Sequence, residues 1–136
     1  YDYAAAYPAM TARGAAPAEI AVAAADGQTP LAMAFAKATP GVQGLVLVSP
    51  ALESRGIDAA AMAAEMAQTP ILIQFATGDT YAASAGRRLH ERAGGFAALR
   101  EYQGAAQGAD LYAASENARQ QVVLWLDTIL QSNRTD

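Results

Sequence analysis

The order of apolar and helical segments predicts an α/β protein: a parallel sheet of about four strands with helices on both faces. Two observations lead there. Three short apolar runs, at 20–25, 44–49 and 71–76, carry almost no polar residues. Continuous apolar runs of that kind are expected of parallel strands covered on both faces. Segments of helical character separate the runs. Helix and strand therefore alternate, as the crossover connections of a parallel sheet require.

Each element has its own warrant. An alanine-rich helix is expected over 3–13, with Pro8 as a blemish. The first strand, 20–25, leads into Thr29 and Pro30, a start signal for a helix over 30–37. The second strand, 44–49, is closed by Pro50. Asp58 is placed to cap a helix over 58–68. Pro70 opens the third strand, 71–76. A helix over 81–93 stops at Gly94 and Gly95. Residues 98–102 are less apolar and alternate, which suits a strand nearer the sheet edge. A glycine-bounded loop, 104–108, follows. The last helix, 115–130, places Val122, Val123, Leu126, Ile129 and Leu130 on one stripe, with Trp125 adding bulk. No linker, repeat or second domain is visible, so 1–136 reads as one domain.

Composition narrows the function. Hydrophobic residues make up 53% and charged residues 16%, the balance of a chain with a packed core. The net charge is -4 and the basic residues are scattered. Their densest spot, Arg87, Arg88 and Arg92, carries Glu91 within it and reads as a solvated helix face. No nucleic-acid partner is expected. The chain has no cysteine, which removes disulfides, thiolate metal sites and a thiol nucleophile and leaves the redox compartment open. No apolar run approaches the roughly 20 residues of a membrane span, and no charged-then-apolar leader opens the sequence.

Functional groups of α/β sheets gather at the C-terminal ends of the strands. At the first such end the chain reads Ala24-Ala25-Asp26-Gly27-Gln28 between a strand and an alanine-rich helix. At the second it reads Val48-Ser49-Pro50, and at the third Ala76-Thr77-Gly78-Asp79. After the fourth comes Gly104-Ala105-Ala106-Gln107-Gly108. In order and spacing these ends resemble the second half of the α/β-hydrolase fold. The family's nucleophile elbow is G-x-S-x-G. On that pattern Asp26 takes the nucleophile position, and Ala24 and Gln28 take the two glycine positions. Asp79 takes the position of the triad acid and Gln107 that of the triad histidine. The resemblance implies that the family's earlier strands lie before Tyr1, so the domain is expected to be incomplete on its N-terminal side.

Serine hydrolysis needs a nucleophile, a base and a carboxylate that orients the base. The resemblance leaves only the carboxylate, Asp79. A primary amide such as Gln107 neither takes nor gives a proton near neutral pH and cannot serve as the base. The expected function is therefore a hydrolase-like protein that binds or builds rather than hydrolyses. The alternative is an active esterase- or dehalogenase-like enzyme using Asp26 as nucleophile, or residues from a further N-terminal part. A carboxylate can attack carbon directly, but the resulting ester still needs a base-activated water.

Asp26 also has a plainer reading as a turn or cap residue, and Asp79 as a helix cap. The side chain at Gln28 suggests a relaxed or reshaped elbow. His90, the only histidine, reads as a surface residue of its helix. Ser49 and Ser84 read as structural, and Met33, Met62 and Met66 as packing. A flavodoxin- or receiver-like domain fits the length. It is opposed by the lack of a phosphate-cradling glycine loop and by Lys37 being the sole lysine. No cofactor and no metal are expected, since no histidine or third acid joins Asp26 and Asp79. The apolar strand 20–25 would lie at an edge of this sheet, so a protein partner or a missing N-terminal segment is expected to pair beside it.

Overall fold

The computed structural model describes residues 20–132, so the helix expected over 3–13 lies outside the described residues. Strand β1 (Ala21–Ala25) runs through a single 3-10 turn (Asp26–Gln28) into helix α1 (Thr29–Ala38). Strand β2 (Gly44–Val48) follows, then a small hairpin of β3 (Glu53–Ser54) and β4 (Ile57–Asp58). Helix α2 (Ala59–Ala64), strand β5 (Ile71–Ala76), helix α3 (Thr80–Ala93) and strand β6 (Ala97–Tyr102) come next. Helices α4 (Asp110–Ala114) and α5 (Glu116–Ser132) close the described chain.

The main sheet has four parallel strands in the order β1-β2-β5-β6. Val22 lies beside Leu45, Leu45 beside Ile71, and Ile71 beside Ala97. Because the order advances in one direction, crossovers of one hand all fall on one face. There α1, α2 and α3 bury Leu45, Leu47, Ile71, Ile73 and Phe75 with Met33 and Met66. The alternate residues Val46, Val48, Leu72 and Ala76 point to the other face, under α4 and α5. The α/β class and the parallel sheet with helices on both faces are thus present, with the strands within a residue or so of their expected bounds.

Local signals explain most of the elements. The Asp58 carboxylate accepts from the Ala61 amide at 3.1 Å, so it caps α2 as the sequence suggests. That helix ends at Ala64 rather than at 68, because the chain must turn back through Pro70 into the buried β5. Helix α1 begins at Thr29 itself, with Pro30 in its first turn. The hairpin escapes the apolar pattern because each of its strands has two residues. Its turn, Arg55 (φ 52) and Gly56 (φ 81), has two left-handed residues, the arrangement that tight hairpins favour.

Helix α5 keeps the expected stripe on its half-buried face except at Val123. Val123 and Leu124 are 62% and 60% exposed, while Val122, Trp125 and Leu126 pack on the sheet. The fully buried Ala118 extends the inward row. Among the described residues β1 pairs only with β2. Val22 is buried and Ala23 exposed, so this strand is covered on one face and open on the other.

The second face is not purely apolar. Gln74, fully buried in the middle of β5, donates from Nε2 to the Tyr102 hydroxyl at 2.8 Å and to the Ala118 carbonyl at 3.1 Å. Its Oε1 accepts from the Tyr112 hydroxyl. Burial, helped by the neighbouring Tyr102, lifts the Tyr112 hydroxyl well above the ordinary tyrosine range, so it remains a donor. No buried side-chain nitrogen or oxygen among the described residues lacks a partner.

Candidate functional site

The ends of β1, β2 and β5 and the loop after β6 meet at one small cleft of about 180 Å³. Asp26, Asp79 and Gln107 all line it, with Ser49 and Tyr81. Residues 81 positions apart along the chain are thus brought together by the shared direction of the strands.

Asp26 sits where β1 breaks into the turn before α1. Its φ is 54°, in the left-handed region. Of the relaxed or reshaped elbow that Gln28 suggests, the backbone at Asp26 is not the relaxed one. Aspartate tolerates this conformation better than most side chains, which keeps its cost small. Nor does the Asp26 side chain cap the helix. No side chain caps it: the Thr29 hydroxyl instead braces the turn, donating to the Asp26 carbonyl at 2.8 Å and accepting from the Ala51 amide at 2.9 Å. Burial raises the pKa of Asp26 above its ordinary value of 3.8, and the nearby carboxylates of Asp79 and Asp110 add to the rise.

Asp79 is 8% exposed and caps α3, accepting from the Ala82 amide at 3.4 Å. The capping role that the sequence allows is therefore filled, and the residue also lines the cleft. Gly78 just before it is dictated by close approach. Its amide donates to the Gly104 carbonyl at 2.7 Å, and a Cβ there would lie 2.6 Å from that same oxygen. The contact pulls the loop after β6 onto the end of β5 and carries Gln107 into the cleft.

Of the other lining residues, Ser49 reads as structural in the sequence and Tyr81 is not singled out there. Ser49 ends β2 with φ 49° and is 3% exposed. Its hydroxyl accepts from the Gly108 amide at 2.8 Å. Gly108 in turn lies against the Asp26 carboxylate, which occupies the space a Cβ would need. The Ser-Pro pair after a buried strand was the available signal for Ser49. Nothing local marks Tyr81, which is 58% exposed and accepts from the Leu52 amide at 3.2 Å.

His90 lies away from the cleft. It is half-buried rather than on the open surface, and its Nε2 donates to the Ala97 carbonyl at 3.1 Å, at the opposite end of β6. Arg87 is paired with Glu101 and lies over the Phe75 ring, 5.6 Å from its centre. Ser84 is exposed outside the cleft. Among the described residues no three His, Asp or Glu side chains are grouped to hold a metal ion. No described helix is long and apolar enough to cross a membrane.

Fold and cleft define a protein of the parallel-sheet α/β class with its polar side chains gathered at the strand ends. No family model, no curated protein and no solved structure matches the chain.

Proposed function

We propose that the chain is a hydrolase-like α/β unit whose strand-end cleft binds without turning over esters. The content of the cleft carries this reading. Two carboxylates and an amide, from Asp26, Asp79 and Gln107, line it, while the one imidazole of the chain lies at the far end of β6. A cleft without an imidazole lacks the base that the Ser-His-Asp arrangement uses for acyl transfer. Two left-handed non-glycine residues, Asp26 and Ser49, border it, and such backbone gathers at functional sites. The same reading places a further strand, from another chain or another segment, against the second edge of β1.

The left-handed backbone at Asp26 favours a second reading, in which the turn presents Asp26 as a nucleophile. Against it, the ester that a carboxylate nucleophile forms needs a base-activated water, and no imidazole lines the cleft. Both readings meet in one experiment: the intact protein and its Asp26→Asn variant assayed on short- and medium-chain esters and a haloalkane. The expected result is no turnover above buffer for either protein. Turnover that disappears in Asp26→Asn would establish a nucleophilic carboxylate and end the non-catalytic reading.

A further inference from the structure

Beside the strand-end cleft lies a larger groove, of about 710 Å³. That is within the range of small-molecule sites, roughly 300–1,000 Å³. One wall is the β3–β4 hairpin with the start of α2, contributing Glu53, Gly56 and Asp58. The other is α3, contributing Ser84 and Arg88. Acids thus stand on one wall and a base on the other.

These opposite charges do not satisfy one another. Among the described residues the ion pairs are Lys37 with Glu65 and Arg87 with Glu101. Arg88, one residue along α3 from the paired Arg87, has none. Glu53 is also without an ionic partner, and Asp58 spends one oxygen on the Ala61 amide. The walls are fixed rather than loose. The Tyr81 hydroxyl of α3 holds the Leu52 amide at the root of the hairpin, and the Asp58 cap holds its other end to α2. A guanidinium and a carboxylate held across a groove without meeting are complementary to a ligand that carries both charges.

We infer that this groove binds a small zwitterion, with the ligand's carboxylate on Arg88 and its ammonium on Glu53. An amino-acid-like compound fits that description. Glu53 and Asp58 together outweigh the single guanidinium, so the ammonium end is the one held by the stronger local field. Ser84, one helical turn before Arg88 on the same side of α3, adds a hydroxyl to the carboxylate end. The inference concerns residues outside the strand-end cleft and does not rest on that cleft's function.

The test is calorimetric titration of the intact protein with linear amino acids of increasing length, from glycine to ε-aminocaproate. The best member is then compared with its methyl ester and its N-acetyl form. One length should bind best, and each blocked form should bind about tenfold weaker or worse, a difference of about 1.4 kcal/mol. Arg88→Gln should erase the preference for free acid over ester and keep the preference for free amine. Glu53→Gln should do the reverse, and Asp26→Asn should change neither. No binding of any member at millimolar concentration would overturn the inference. So would blocked forms that bind as well as the free one, or substitutions that weaken all forms alike. The substituted side chains are exposed, and circular dichroism of each variant confirms that the fold is kept.

Discussion

The two faces of the sheet are built on different principles. Under α1, α2 and α3 the contact is apolar throughout, with alanines of the helices fitted against Leu45, Leu47, Ile71, Ile73 and Phe75. Under α4 and α5 the apolar layer is interrupted by Gln74, Tyr102 and Tyr112, joined by hydrogen bonds to one another and to the α5 backbone. The first face is held by area and shape, which any apolar set of similar volume approximates. The second also demands that particular donors meet particular acceptors, because an unpaired buried polar group is costly. The difference teaches that α5 is located by its partners and the crossover helices by their packing.

Three sets of substitutions sharpen this contrast. Phe75 is fully buried on the apolar face. Phe75→Ala should lose about 3–5 kcal/mol of stability, read as a lowered urea midpoint. A loss under about 1 kcal/mol would mean that this face collapses freely around the void.

On the other face, Gln74→Leu should cost about 1–3 kcal/mol, since it strands the Tyr112 hydroxyl. Adding Tyr102→Phe and Tyr112→Phe should recover much of that loss, because no polar group is then left without a partner. If the triple variant is no better than the single one, the face is held by shape, like its opposite, and the contrast fails.

The smallest effect concerns Asp26, at the strand ends between the two faces. Its pKa is raised on folding, so the folded state holds the proton more tightly than the unfolded chain does. Its contribution therefore becomes unfavourable as pH rises from the ordinary value of 3.8 through the raised folded value. Asp26→Asn should be slightly more stable than the parent at neutral pH, by melting temperature. The part of that gain due to charge should vanish below pH 3.8. A gain that is the same at both pH values would come from the backbone alone, since asparagine also accepts a left-handed φ.

Much of the architecture was legible along the chain. The runs that became β1, β2 and β5 are continuous and apolar, β2 and β5 being buried along their whole length as parallel strands covered on both sides are, and Pro50, Pro70 and the Gly94-Gly95 pair mark where segments stop. Asp58 and Thr29 announced helix starts, although Thr29 works by bracing the turn at Asp26. The hairpin and α4 were not legible, being too short to show a period. Gln74 was hidden inside an apolar run, where its neighbours argued for burial and nothing local named its partners. Of the strand-end cleft, Asp26, Asp79 and Gln107 could be picked out by their place after strands, whereas Tyr81 belongs to it only through the packing of α3.

By itself the sequence determined the α/β class, the number and rough limits of the main strands, and the absence of an imidazole near the strand ends. These depend on short-range pattern and residue type, which a linear chain carries openly. The strand order, the sharing of helices between faces, the exposure of Val123 on α5 and the separation of Arg88 from Glu53 were decided only by tertiary structure. Each depends on which distant residues come to lie side by side, and that follows from strand pairing and packing across the sheet rather than from any local signal.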